Sequence, residues 1–138
     1  MLGKKTGQVL VLGDYDGAIE TALNSVCSPR SHYTHGWATT FEVLCEEAAA
    51  YSATYDVTVA IFNTAGRDVR EMAQEIAILR RGEVEGLSRS IPIILVQKSG
   101  KAPRWAKDKG VEAVRISDVM AVTEAVRTAL ASVSPPTP

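Results

Sequence analysis

The sequence predicts a three-layer α/β fold in which helices cover both faces of a five-stranded parallel sheet. Five short apolar runs alternate with five segments of helical periodicity along the 138 residues. The runs are rich in Val, Ile and Leu and show little alternation with polar residues, which is typical of strands buried on both faces. The length fits one domain built around a single core.

The first half of the chain gives three strands and two helices. The first and third strands are assigned from apolar runs and the second from a mostly polar stretch, whereas each helix is assigned from an apolar stripe at helical spacing. In the second helix this stripe contains Phe41, Leu44, Cys45 and Ala48. The expected strands are residues 8–14, 31–37 and 56–62, and the expected helices are residues 17–27 and 38–53.

The second half continues the alternation and supplies clear start and stop signals. Pro92 lies near the start of the fourth strand, Gly110 ends a short helix, and Asp118 is a good N-cap for the last helix. The expected helices are residues 67–84, 102–110 and 118–133, and the expected strands are residues 90–100 and 111–117. Right-handed crossovers then favour the flavodoxin-like strand order 2-1-3-4-5.

Composition and charge limit the function classes. Apolar residues make up 46% of the chain, and 15 basic and 16 acidic residues leave a formal charge of −1, which gives no reason to expect nucleic-acid binding. No segment reaches the roughly 20 apolar residues of a membrane helix, so we expect a cytoplasmic protein. We expect residues 1–133 to form the domain and the Pro-rich residues 134–138 to be a disordered tail or linker.

The carboxyl ends of the predicted strands are where such a sheet places its ligand site. Asp14 and Asp16 follow the first strand and are weak candidates for Mg²⁺ ligands, because hard cations prefer carboxylate oxygens. Two carboxylates seldom suffice, however, and Asp16 could instead cap the first helix. We therefore expect neither a bound metal nor a cofactor.

Four segments carry a resemblance to a known family. They are "QVLVLGDYD", "YDVTVAIFNT", "SIPIILVQKSG" and "KGVEAVRIS", in this order along the chain. Over nearly its whole length, the chain resembles the receiver domain of bacterial two-component response regulators. The resemblance implies a CheY-like fold, which is the same flavodoxin-like three-layer sandwich, and a role in signalling.

The residues that perform the chemistry of receivers are mostly replaced. Receivers need an acidic pair after strand one, an acceptor Asp after strand three, a Ser or Thr after strand four and a Lys after strand five. By this resemblance, the degenerate pocket consists of Gly13 and Asp14 at the acidic pair, Ile61 at the acceptor, Asn63 two residues beyond it, Gln97 at the hydroxyl and Ser117 at the Lys. If the third strand is shifted by two residues, Asn63 takes the acceptor position instead.

The sequence therefore predicts a pseudo-receiver, which is a receiver scaffold without aspartyl phosphorylation, and not an enzyme. Phosphoryl transfer needs an ionised oxygen nucleophile and a cation that offsets the phosphate charge. Neither Ile61 nor Asn63 supplies the nucleophile. We expect such a domain to act through contacts with a protein partner or in a homodimer.

By resemblance, the contact surface is the face formed by the fourth helix, the fifth strand and the fifth helix. The candidate residues are Arg104, Trp105, Lys107 and Val119. A structural role for Trp105, packed at the edge of the sheet, is the alternative, because Trp is usually mostly buried.

Two other functions stay open at this stage. One is a small-ligand domain that binds a nucleotide or flavin near Asp14, Asp16 and the turn "NTAGR", whose amides could approach a phosphate. The other is a conventional receiver that is phosphorylated at a displaced acid such as Asp68.

Overall fold

The computed structural model describes residues 6–27, 33–50, 55–98, 102–115 and 117–132. Strands and helices alternate along these residues as the sequence predicts. The elements are β1 (Thr6–Leu12), α1 (Gly17–Val26), β2 (Tyr33–Ala38), α2 (Phe41–Ala50), β3 (Tyr55–Asn63), α3 (Val69–Arg80), β4 (Ile93–Gln97), α4 (Arg104–Asp108), β5 (Val111–Arg115) and α5 (Val119–Ser132).

All neighbouring strands are parallel, and their order is β2-β1-β3-β4-β5. This confirms the predicted flavodoxin-like sandwich. Alternate side chains of β3 enter two separate apolar layers: Ile61 packs with α1 and α5, whereas Phe62 packs with α2, α3 and α4. Both side chains are fully buried. The sheet is therefore covered on both faces, which explains why its strands are apolar runs.

Side-chain caps begin three helices close to where the sequence predicts them. The Asp16 carboxylate accepts hydrogen bonds from the amides of Ala18 and Ile19, and Asp118 accepts one from the amide of Ala121. The Asp68 carboxylate caps α3 in the same way. Each bond satisfies an amide that has no partner within its helix.

The third helix is shorter than predicted. It ends at Arg80, and Gly82, at φ +71°, turns the chain away. Val84 and Leu87, in the segment that follows, are buried against the α2–α3 side of the core, so their apolar character reflects loop packing and not helix. At Gly86, a Cβ would come within 2.3 Å of the Ala48 carbonyl oxygen, so only glycine lets this loop pass beneath α2.

Two predictions from the sequence, the tail and the lack of a membrane helix, are compared with the described residues as follows. The predicted tail, residues 134–138, lies outside the described part of the chain. Among the described residues, no helix combines the length and the apolar character needed to cross a membrane.

Candidate functional site

Asn63 is the last residue of β3 and is almost completely buried, with 2% of its surface exposed. It lies beside Gly13 and Asp14, which follow β1, and we call these three residues the mouth of the central strands. Its Nδ2 donates a hydrogen bond to the Asp14 carbonyl oxygen at 2.8 Å. Its Oδ1 accepts one from the Ala65 amide at 3.2 Å. Both ends of the carboxamide are therefore bonded to backbone groups, and the side chain ties the β1–α1 loop to the β3–α3 loop.

Gly13, which follows β1 directly, packs closely against Asn63. Its backbone has φ +129°, a conformation that L side chains rarely adopt. A Cβ at this position would lie 2.8 Å from the Asn63 carbonyl oxygen and 3.0 Å from the Asn63 Cβ. The ends of β1 and β3 approach so closely that no acidic side chain fits at position 13 without movement of the backbone.

The side chain of Ile61 is fully buried in the apolar layer between the sheet and the two helices α1 and α5, two residues before the end of β3. It does not line the mouth. Asn63, and not Ile61, is the residue at the end of the strand.

The two aspartates of the β1–α1 loop have different surroundings. The Asp14 side chain is exposed, whereas the Asp16 carboxylate is engaged by the first amides of α1. This favours the capping interpretation of Asp16 over the metal-ligand one. Within the described ranges, no group of three or more His, Cys, Asp and Glu side chains is arranged to hold a metal ion.

Gln97 and Ser117 lie farther along the same edge of the sheet. Gln97 is the half-buried last residue of β4, which is next to β3. Ser117 is exposed and follows β5, which is separated from β3 by β4. The structure thus brings together Gly13, Asp14 and Asn63, whereas Ser117 follows β5, the strand at one side of the sheet.

The two thiols offer no alternative nucleophile of ordinary reactivity. Cys27 and Cys45 are both half-buried and unbridged. Burial raises the pKa of the Cys27 thiol to about 11, and burial together with the nearby Glu75 carboxylate raises the pKa of Cys45. Both thiols are therefore largely protonated near neutral pH. Because the thiolate is the reactive form, neither is an activated nucleophile.

A cleft of about 510 Å³ opens beside the mouth, between the start of α2 and the start of α3. Arg67 lies in its wall and donates to both carboxylate oxygens of Glu75, at 3.0 and 2.9 Å. Burial raises the pKa of Glu75, while the bond to Arg67 opposes that rise. Three further acidic side chains line the cleft: Glu42, Asp68 and Glu71. The cleft is therefore net acidic.

The backbone of the β3–α3 turn is largely occupied by internal hydrogen bonds. The Thr64 amide donates to the Val96 carbonyl, and the Arg67 amide donates to the Thr64 carbonyl. With the Ala65 amide bonded to Asn63, three amides of the turn "NTAGR" are unavailable to a phosphate.

The predicted contact residues on α4 and α5 divide into two kinds. Arg104 and Lys107 are exposed on α4, whereas Trp105 and Val119 are half-buried and pack against the two core layers. Trp105 is thus at least partly a packing residue. Met120 on α5, which the sequence did not single out, is 69% exposed and is the most exposed large apolar side chain of the described residues.

Comparison with known proteins adds one finding on the fold. No protein-family model matches the chain, and none of the curated proteins matches it either. Among solved structures, the chain is similar to the N-terminal domain of a response regulator receiver protein from Methanoculleus marisnigri JR1. The two chains are 19% identical with a TM-score of 0.50, and the match covers 90% of this chain and 96% of the other. The fold is receiver-like. The resemblance read from the sequence is confirmed at the level of the fold.

Proposed function

We propose that this domain is a signalling and regulatory protein-interaction module, a pseudo-receiver that works without aspartyl phosphorylation and is not an enzyme. The observation that carries the proposal is the state of Asn63. This residue ends the central strand, at the position that takes the acceptor if the strand is shifted by two residues, and both polar atoms of its side chain bond to the backbone.

The chemistry follows from the residue types at the mouth. An amide is a very poor nucleophile, and the Asn63 Nδ2 already donates to the Asp14 carbonyl. The geometry at Gly13 leaves no room for the first acid of a metal-binding pair. Ser117 carries no cation that could pair with phosphoryl oxygens. Nucleophile, metal ligand and cation are therefore replaced together.

The first experiment is incubation of the domain with Mg²⁺ and a small phosphodonor, followed by intact-mass spectrometry. A conventional receiver domain treated in parallel serves as the positive control. We expect the mass of this chain to stay unchanged while the control gains one phosphoryl group. Stoichiometric phosphate on this chain that base and hydroxylamine remove, as they remove an acyl phosphate, would refute the proposal.

The contact function is assigned to the α4–β5–α5 face. Arg104 and Lys107 give it positive charge, and Met120 adds an exposed apolar side chain. Exposed apolar side chains beside charged ones are a common composition of interfaces. The occupant is a protein partner or a second copy of the chain.

Light scattering across a concentration series tests whether this face supports self-association. If a dimer forms, Met120→Asp should weaken it, whereas Val69→Asp should not. Val69 is a fair control because it is also exposed, at 44%, but lies at the start of α3, away from this face. Equal effects of the two substitutions would remove the assignment to the α4–β5–α5 face. If the chain is monomeric, the affinity of the same two variants for a partner protein is compared instead.

A second candidate function is binding of a small ligand in the cleft between α2 and α3, which its size of about 510 Å³ favours. Its acidic lining opposes a phosphate-bearing nucleotide or flavin, because like charges repel. Thermal-shift measurements across a panel of nucleotides, flavins and small cationic compounds test it. Stabilisation by a nucleotide or flavin would favour this function over the interaction module.

A displaced acceptor at Asp68 is the third possibility carried from the sequence. The Asp68 carboxylate caps α3 by accepting from the Arg70 amide at 2.7 Å. The intact-mass experiment described above also tests this possibility, because a phosphoryl group on Asp68 would raise the mass of the chain.

A further inference from the structure

Arg80, the last residue of α3, joins three segments of the chain through a single side chain. Its guanidinium group donates to the carbonyl oxygens of Arg89 at 3.1 Å and Ile91 at 2.5 Å, in the loop that precedes β4. It also donates to those of Lys109 at 2.8 Å and Gly110 at 3.2 Å, in the turn between α4 and β5. The end of α3 is therefore bonded to two loops that do not follow each other in sequence.

The planar guanidinium group suits this task. It presents five N–H donors in a rigid fork, and four of them are used by these four bonds. The next residue, Arg81, gives a useful contrast, because its side chain is 60% exposed and pairs with Glu83 on the surface. Adjacent arginines thus have different roles, one bridging backbone segments and one forming a surface ion pair.

The α4 helix has little support of its own. It contains five residues, Arg104–Asp108, and its N-cap residue, Pro103, makes no side-chain capping bond. Helices this short are unstable in isolation, so tertiary contacts must hold α4 in place. Its inward side buries Ala106, and its C-terminal end leads directly into the Lys109–Gly110 turn that Arg80 holds.

We propose that Arg80 is a positioning residue that fixes α4 and the turn into β5, and couples them to the loop that precedes β4. A partner that shifts α4 would then disturb the bonds from Arg80 to both loops at once. The relevance of this coupling to partner binding rests on the proposed function of the α4–β5–α5 face. The coupling itself is a property of the isolated chain and can be measured without a partner.

Amide hydrogen exchange of Arg80→Lys and of the matched control Arg81→Lys tests the coupling. Lysine keeps the charge but lacks the planar fork that spans both loops. In Arg80→Lys, we expect exchange to become about tenfold faster both in residues 104–111 and in residues 86–91, with Val9–Leu12 of β1 unchanged. Arg81→Lys should exchange like the unmodified protein.

Three results would overturn the proposal: unchanged exchange in Arg80→Lys, acceleration in one loop alone, or equal acceleration in β1. The last would show general destabilisation and not positioning. Because no partner is present, none of these results depends on whether the α4–β5–α5 face binds anything. The mass and association experiments above can therefore fail or succeed separately.

Tryptophan fluorescence supplies a second readout. The chain has two tryptophans, so Trp37→Phe leaves Trp105 on α4 as the single probe. In this background we expect Arg80→Lys to shift the emission maximum to longer wavelength, because a displaced α4 exposes the half-buried Trp105 to water. Arg81→Lys should leave the maximum in place. Identical spectra for the two lysine variants would contradict the positioning of α4 by Arg80.

Discussion

The mouth of the central strands and the α4–β5–α5 face differ in how the fold uses their polar groups. At the mouth, the Asn63 carboxamide is bonded at both ends and Gly13 admits no side chain. On the face, Arg104, Lys107 and Met120 extend into solvent. Polar groups that already satisfy the backbone are not free for chemistry, whereas exposed groups are free to bind.

On our proposal, this difference lets a receiver-like scaffold act through partner contacts without phosphorylation. The loops after β1 and β3 are joined by one internal hydrogen bond, from Asn63 to Asp14, which stabilises a single arrangement of the mouth. Several close carboxylates would instead repel one another in the absence of a metal ion. On our proposal, the loops at the mouth therefore keep one stable arrangement and do not switch between two arrangements on phosphorylation.

Gly13→Asp is the substitution with the largest expected effect on the free energy of unfolding. It places a side chain at φ +129° and a Cβ 2.8 Å from the Asn63 carbonyl oxygen, so the backbone must move. We expect a loss of roughly 3 kcal/mol or more, measured by urea denaturation. Gly17→Asp is the control, because nothing lies within 4 Å of a Cβ at that position. Equal stability of the two variants would mean that the mouth is open enough for an acidic pair.

Asn63→Asp should have the next largest effect. A carboxylate cannot donate to the Asp14 carbonyl oxygen, so two acceptors would face each other across 2.8 Å in a buried site. We expect a loss of about 2 kcal/mol by denaturation. The exposed Asn24 provides the control: Asn24→Asp keeps an acceptor for His35 and should change stability little. Unchanged stability of Asn63→Asp would show that the amide bond to Asp14 contributes nothing.

A smaller, pH-dependent effect is expected from Glu75. Burial raises its pKa in the folded protein above the ordinary value of 4.5, so the folded state binds its proton more tightly than the unfolded state. The stability contribution of this group is therefore greatest at low pH and is lost as pH rises through the folded pKa. Relative to Glu75→Gln, the unmodified protein should gain stability as pH falls from 7 towards 5. If the unmodified protein instead loses stability relative to Glu75→Gln as pH falls, the ion pair with Arg67 outweighs burial.

The double substitution Arg104→Ala with Lys107→Ala should have the smallest effect on stability. Both side chains are exposed on α4, so we expect a change within about 0.5 kcal/mol. Association with a partner or second copy should weaken and lose part of its salt dependence. A large loss of stability would show that these side chains support the fold, and the contrast with the mouth would disappear.

The fold was readable from the sequence because its signals are local. Apolar runs give the strands, and residues such as Asp16 and Asp118 satisfy the first amides of their own helices. Errors came where a tertiary contact explains an apolar residue. Val84 extended the predicted third helix to residue 84, whereas in the structure it is buried in the loop after α3.

The site was predicted less well because its geometry depends on distant residues. The bond from Asn63 to Asp14 spans 49 positions, and the close approach at Gly13 depends on how β1 and β3 pair. Apolar periodicity placed β3 correctly but could not decide whether Ile61 or Asn63 takes the acceptor position of the receiver pattern. Similarly, the sequence did not single out Arg80, because its four acceptors lie in other segments.

The most direct measurement is a two-dimensional amide NMR spectrum of the unmodified domain, with and without Mg²⁺ and beryllofluoride, which mimics an acyl phosphate. We predict that the amides of Gly13, Asp14, Asn63 and Ala65 keep their positions, because on our proposal the mouth supplies neither an acceptor carboxylate nor a metal-binding pair. A second set of these resonances, appearing in slow exchange on addition of both reagents, would show a working phosphorylation pocket and contradict our proposal.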